Sequence, residues 1–274
     1  GIKPALEDLE EGYVLVKPNC NSHDPFPAST HPNTVRLVLR LLIEAGLQRE
    51  QIVIGDMSGP AWLPTEATMK KIGIFSIAKE FGVGISLFEN EEWVWIRPTE
   101  ASSWSKGFRI AEKVYNASRI ISLPCLKTHQ FGGIFTLSLK NSVGVINPAD
   151  RSILHKKPGH RIAEINLAYT TDLIVLDGLQ CFVTGGPAHG KEAASGIVIA
   201  GSDRVAVDAV GVAILKFHKA EGIAGVKIKD HDQLTRAAEV GIGHLDANMI
   251  SLKTSNLAGD AEFDDLVTFV KHQL

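Results

Sequence analysis

The stretch YVLVKPN at residues 13–19 decides the fold class of this chain. Its β-branched and aromatic residues predict a strand, and Pro18 ends that strand because proline has no backbone N–H to donate. Apolar residues then recur at helical spacing from Val35 to Ile43, and QIVIGD at 51–56 predicts a second strand. Because parallel strands need a crossover connection of this length, the two strands are predicted to pair in parallel.

The pattern continues outward from this unit. A helix over 65–72 and a third parallel strand over 84–88 follow, then an edge strand over 92–97. Further strands are predicted over 119–123, 172–178 and 197–200, and further helices over 108–116, 162–168 and 205–217. Asn33 or Thr34 is expected to cap the first helix and Asp203 the last of these.

These elements predict an α/β fold with mainly parallel sheets flanked by helices. We expect two lobes with a cleft between them. The polar stretch 98–106 marks the seam, which gives an N-terminal lobe over 1–105 and a C-terminal lobe over 106–274.

Composition excludes some classes of partner and indicates a compartment. Lys and Arg number 28 against 31 Asp and Glu, a net charge of −3, and this balance disfavours nucleic acid as a partner. No apolar run approaches the roughly 20 residues that a bilayer crossing needs, so no membrane partner is expected. Three widely spaced cysteines are not the dense, even set of a secreted disulfide scaffold, and a cytoplasmic location is therefore predicted.

Polar side chains follow several of the predicted strands. Carboxyl ends of parallel strands meet at one edge of a sheet, where ligands of α/β proteins bind. The substrate-binding candidates at these ends are Lys17, Asn19, Asp56 and Asp177. The turn TGGPAHG at 184–190 adds Gly185 and Gly186, whose backbone amides could cradle an anion.

The densest polar region starts with LPCLKTH at 123–129 and continues through TLSLKNSVG at 136–144. Its cations Lys127, Lys140 and Arg151, with Asn141 among them, suit a carboxylate or a phosphate. Apolar neighbours surround Lys140, so its pKa is expected to be lowered and its amine to be reactive.

Two histidines of the same region complete the catalytic candidates. His129 and His155 could act with Lys140 as general acid and base, or they could ligate a metal. Cys125 offers a further metal donor beside them, and Cys20 could contribute to a cluster site. The cofactor is left open between a metal ion, an iron–sulfur cluster and none.

Several of these motifs together resemble an uncharacterised family, domain of unknown function 362. The resemblance covers nearly the whole chain, and it implies a fold and a site rather than a reaction. It is carried by VKPN at 16–19, LPCLKTH at 123–129, TLSLKN at 136–141 with Gly144, DG at 177–178, GGP at 185–187 and AVDA at 206–209. Some relatives carry appended iron–sulfur modules, whose clustered cysteines this chain lacks.

The order of elements leading to His129, Gly132-Gly133, Lys140 and His155 also resembles the nickel-pincer lactate racemases. That resemblance implies acid–base work for His129, anchoring of a pyridinium-derived cofactor for Lys140 and nickel binding for His155. The histidine-containing turn of the racemases is replaced here by GDMSG at 55–59, so one partner of a two-histidine racemisation is missing.

Three hypotheses follow. The first is an enzyme that binds a small anionic substrate between two lobes and uses metal-assisted acid–base chemistry, with Lys17, Lys127 and Arg151 holding the anion. The second is a non-catalytic module that binds a ligand, metal or iron–sulfur cluster for delivery or sensing, through Cys20, Cys125 and His129. The third is a scaffold whose polar loops are only solvated.

Overall fold

A computed structural model describes residues 2–6, 9, 11–60, 62–131 and 134–274 of the chain. The predicted Gly132-Gly133 pair lies outside these residues. The strands are β1 (Val14–Pro18), β2 (Ile52–Asp56), β3 (Gly84–Leu87), β4 (Trp93–Ile96), β5 (Phe108–Ala111), β6 (Arg119–Leu123), β7 (Cys125–Thr128), β8 (Phe135–Thr136), β9 (Leu173–Phe182), β10 (Glu192–Ala193) and β11 (Ile197–Gly201).

Helices connect and cover these strands. They are α1 (Pro32–Glu44), α2 (Thr65–Lys71), α3 (Ile74–Phe81), α4 (Glu112–Tyr115), α5 (Ser138–Asn141), α6 (Pro148–Arg151), α7 (Pro158–Ile165), α8 (Arg204–Phe217), α9 (Asp232–Glu239) and α10 (Phe263–Gln273). Across the described ranges, no helix combines the length and hydropathy that a bilayer crossing requires.

One nine-stranded sheet forms the centre of the fold, in the order β3-β2-β1-β6-β9-β7-β8, with β10 and β11 both paired to β9. β1, β2, β3 and β6 are parallel to their neighbours, as is β9 to β6 and β7. The predicted α/β fold with a mostly parallel, helix-flanked sheet is therefore confirmed.

The predicted division into two lobes is not confirmed. β1 hydrogen-bonds β6 along five residue pairs, from Val14↔Arg119 to Pro18↔Leu123, so strands on either side of residue 105 share one sheet. β4 and β5 also pair with each other across that position. The boundary at 105 itself stays a prediction.

Side-chain alternation along β1 explains the two apolar cores. Val14 and Val16 point to one face and share an apolar cluster with the buried residues of α1 and α3, whereas Leu15 points to the other face and belongs to the cluster that includes α7 and α8. The two cores are thus the two faces of one sheet, and the polar edge at the carboxyl ends of its strands lies between them.

Two local predictions were wrong. Residues 108–116, predicted as one helix, form β5 followed by the single turn α4, because Phe108–Ala111 pair antiparallel with β4. The cap of α1 is His31 rather than the predicted Asn33 or Thr34. The helix begins at Pro32, and His31 Nδ1 accepts from the Asn33 amide at 3.0 Å. The prediction that Asp203 caps α8 is confirmed by its bonds from the Val205 and Ala206 amides.

Candidate active site at the carboxyl edge of the sheet

A buried ion pair joins the ends of β1 and β2. Lys17 Nζ lies 2.6 Å from Asp56 Oδ1, and both side chains are about 2% exposed. The second oxygen, Asp56 Oδ2, accepts from the Cys20 amide at 2.6 Å. The predicted convergence of these two strand ends is confirmed, and the pair is of the kind whose disruption costs roughly 3–5 kcal/mol.

Asn141 on α5 connects this pair to β6. Its Oδ1 accepts from Lys17 Nζ at 3.2 Å, and its Nδ2 donates to Ser122 Oγ at 2.9 Å. Gly144, just beyond α5, packs directly on the ion pair: a Cβ there would overlap Asp56 Oδ1 and would lie 2.9 Å from Lys17 Nζ. Only glycine allows this close approach.

Asp208 of α8 fixes the position of α5. Its two carboxylate oxygens accept from the Ser138 amide at 2.7 Å and the Leu139 amide at 3.0 Å. Burial raises the pKa of Asp208 to about 8, although these two bonds act in the opposite direction. Sequence reasoning placed Asp208 in a motif but assigned it no role; its positioning of α5 depends on a contact across 70 residues.

The ammonium group of Lys127, on β7, is hydrogen-bonded within the protein and connects three separate segments. It donates to Asn19 Oδ1 at 3.1 Å, to the Pro187 carbonyl at 3.2 Å and to the Ala28 carbonyl. Complete burial lowers the pKa of Lys127 to about 8. All three protons are thus engaged within the protein, as are those of Lys17 with Asp56, Asn141 and the Pro18 carbonyl. Their predicted direct contact with substrate is untested.

Lys140 and His129 are brought into direct contact. Lys140 Nζ lies 3.2 Å from His129 Nε2, and both side chains are partly buried. Burial, followed by the charges of Lys127 and Arg151, lowers the pKa of Lys140 to about 7. Burial and the nearby lysines likewise hold the pKa of His129 well below its ordinary value. At neutral pH the ring is therefore neutral and the amine is partly neutral.

Arg151 lies at the end of α6, beside the loop that follows β2. Its Nη1 donates to the carbonyls of Ser58 and Gly59 at 2.8 and 2.9 Å. Its Nε and Nη2 are buried and have no hydrogen-bond partner. Burial lowers the pKa of Arg151 to about 10, against the charges of Asp56 and Glu89. Neither acid reaches salt-bridge distance, so the guanidinium keeps two free donors.

The remaining predicted residues lie around this centre or apart from it. His155 is exposed, and its charge acts on His129. Asp177 is buried, and its carboxylate accepts from the Thr34 hydroxyl of α1 and from the Leu179 amide.

The glycine turn packs on the end of β7. Gly186 has a φ of 77°, and a Cβ there would overlap the Thr128 carbonyl. Its amide donates to the His189 carbonyl at 2.7 Å, so that amide is already engaged. Gly185, with a φ of 67°, provides the other left-handed residue of the turn.

The candidate metal donors are not gathered into one group in the described part of the chain. No group of three or more His, Cys, Asp and Glu side chains suited to a metal occurs within the described residues. Cys20 and Cys125 are buried free thiols, and burial raises the pKa of each, to about 11 for Cys125. Metal ligation by Cys125, His129 and His155 stays a prediction, and no chemical step is derived through a metal.

Comparison of the sequence with known protein families gives one match over most of the chain. The model of "Domain of unknown function (DUF362)" matches residues 14–213, a range that contains every side chain of the edge described above. The chain belongs to this family. The resemblance found in the motifs of β1, β7, α5 and α8 is thereby confirmed.

A relative comes from Synechocystis sp., where it is called a thylakoid-associated protein. It is 26% identical over 216 residues, which are 76% of this chain and 64% of that protein. This chain therefore spans less than two thirds of the length of the curated relative it matches. Neither comparison shows the resemblance to nickel-pincer lactate racemases.

Proposed function

We propose that this DUF362 protein is an enzyme that binds a small carboxylate or phosphate at the carboxyl edge of its sheet and transfers protons through Lys140 and His129. One observation carries the proposal: the buried guanidinium of Arg151 has two donors, Nε and Nη2, that no protein acceptor satisfies. These two atoms form the side-on edge of a guanidinium, which matches the two oxygens of a carboxylate or phosphate. A buried donor without a partner costs about 1–3 kcal/mol, which an anion would recover.

The charges around Arg151 support an anion rather than a cation. Lys127 and Arg151 both act on Lys140, and among the described residues Lys140 has no salt bridge. Asp56, one of the two carboxylates that act on Arg151, is already paired with Lys17. Fixed cations at a partly dry site stabilise negative charge much more than they would in water.

The partly neutral Lys140 amine and the neutral His129 ring would supply the acid–base pair. Lys140, with a pKa of about 7, meets the condition that a group titrating near the working pH is best suited to proton transfer. Their nitrogen atoms are already 3.2 Å apart, so a proton can pass between them without rearrangement.

Calorimetric titration of the full chain with inorganic phosphate, acetate and lactate tests this function. Arg151→Gln should weaken binding of the preferred anion at least about tenfold, the equivalent of one charge-assisted hydrogen bond. Arg40→Gln, which changes an exposed arginine on α1, is the matched control and should leave binding unchanged. Glu89→Gln should tighten binding, since Glu89 Oε2 also lacks a partner and competes for the guanidinium. Equal binding by Arg151→Gln and the unmodified protein would refute the proposal.

A cytoplasmic location remains part of the proposal, supported by the three free, buried thiols. The name of the Synechocystis relative places that protein at thylakoids. Fractionation of cells expressing this chain, with a carbonate wash of the membranes, distinguishes the cytoplasm from a membrane surface.

A further inference from the structure

Lys140 is an amine with an unusual set of neighbours. Its recorded polar partner is His129, and within the described residues no carboxylate pairs with it. The side chain as a whole is partly rather than fully buried. Lys127, in contrast, is fully buried and has each ammonium proton engaged. Lys140 is therefore the lysine at this edge that is free to react.

We propose that Lys140 forms an imine with an aldehyde or ketone that also carries a carboxylate, so that the substrate class of this site is an oxo acid. This inference rests on the proposed function, because the carboxylate is the group that Arg151 would hold. The carbonyl carbon would then lie against the Lys140 amine. An oxo acid satisfies both features of the site, whereas a simple anion offers the amine no carbonyl carbon to attack.

The charge of the product also favours an acid over a neutral carbonyl compound. A protonated imine places a positive charge beside Lys127 and Arg151, which is unfavourable. The substrate's own carboxylate compensates that charge at the Arg151 side-on edge. A neutral ketone brings no such compensation, so its imine should be much less stable here.

The reaction needs no reagent beyond the two partners. The neutral Lys140 amine attacks the carbonyl carbon, the C=O π bond breaks as a C–N bond forms, and the oxygen takes up one proton from solvent to give a carbinolamine. His129 Nε2, adjacent to Nζ, accepts the proton that nitrogen loses and returns it to the departing hydroxyl, so that water leaves and the C=N bond forms. Because the charge of Lys140 is one cause of the lowered pKa of His129, the ring becomes more basic as that charge disappears.

Borohydride trapping tests the inference directly. The full chain is incubated near pH 7 with pyruvate or glyoxylate and reduced with sodium borohydride, and its peptides are analysed by mass spectrometry. At that pH about half of Lys140 is neutral, about a thousandfold more than of an ordinary lysine. We expect the reduced adduct on Lys140 at a yield at least about tenfold above that on exposed Lys106 and Lys253.

Two variants and a second probe separate the role of the Lys140 amine from that of Arg151. Lys140→Arg should lose the adduct while keeping the fold, as checked by circular dichroism. Acetone, which has no carboxylate, should label Lys140 at least about tenfold less than pyruvate, and Arg151→Gln should abolish that preference. Labelling of Lys140 no greater than of Lys106, or equal labelling by acetone and pyruvate, overturns the inference.

The two proposals fail in different ways. If lactate or phosphate binds through Arg151 but pyruvate gives no adduct on Lys140, the imine is refuted and the anion site stands. If no anion binds and no adduct forms, both are refuted.

Discussion

Replacing Lys140 with methionine should stabilise the protein at neutral pH, because the chain holds a cation where the surroundings disfavour it. The pKa of Lys140 is lowered from 10.5 to about 7. The unfolded chain therefore binds more protons than the folded one between these two pH values, and stability rises with pH across that window. Below it, the protonated lysine opposes folding in full.

The size of this effect follows from the shift. Each pKa unit corresponds to about 1.4 kcal/mol, so at pH 7 the lysine would cost about 4 kcal/mol if its amine were fully shielded. Partial contact with solvent and the lost bond to His129 each reduce the gain from Lys140→Met by about 1 kcal/mol. We expect the variant to be about 2 kcal/mol more stable at pH 7. Near pH 10 the folded-state lysine is neutral and the unfolded-state lysine is only partly protonated, so its cost falls below about 1 kcal/mol. The lost bond to His129 offsets that remainder, and the gain should disappear.

Urea unfolding followed by circular dichroism at both pH values measures the two differences in free energy. Lys253→Met, at an exposed loop position, is the control and should show no pH-dependent difference from the unmodified chain. A Lys140→Met protein that is less stable at pH 7, or a gain that is the same at pH 7 and pH 10, would refute the reasoning.

Two further predictions concern the residues that hold the site in place. Gly144→Ala should lower the free energy of unfolding by at least about 2 kcal/mol, since its Cβ would overlap Asp56 Oδ1; Gly225→Ala, with no atom within 4 Å of its Cβ, is the control in the same urea assay. Asp208→Ala should destabilise the protein because it leaves two buried amides without acceptors, and the loss should be smaller near pH 9 than near pH 6. The contribution of Asp208 to stability falls as pH rises from its unfolded-state pKa of 3.8 to its folded-state pKa of about 8, so a loss that is constant with pH would contradict this assignment.

Local patterns were enough to predict the parallel sheet and the strand ends that meet at its edge. Apolar runs bounded by polar loops predict β1 and β2. Because the two strands are parallel neighbours, their carboxyl ends bring Lys17 next to Asp56. The helix predicted over 108–116 failed because pairing with β4 overrode the local helical pattern, as tertiary contacts commonly do.

The site was only partly predictable, for the same reason. The apolar neighbours of Lys140 correctly indicated a lowered pKa. The hydrogen bonds that Lys127 donates to the Ala28 and Pro187 carbonyls could not be predicted. These carbonyls are 99 and 60 residues away, and a backbone carbonyl has no residue type that would reveal its role. The free edge of Arg151 is likewise a property of packing, visible only when its neighbours are placed.

The contact between Asp208 and α5 has a consequence for the order in which the molecule is assembled. A helix of four residues has no stability of its own, and the carboxylate that orients it is contributed from α8, later in the chain. A nascent chain that ends before residue 204 contains Lys140 but lacks the side chain that fixes the helix carrying it. Lys140 therefore reaches the position described above only after α8 has been synthesised and has packed against the sheet.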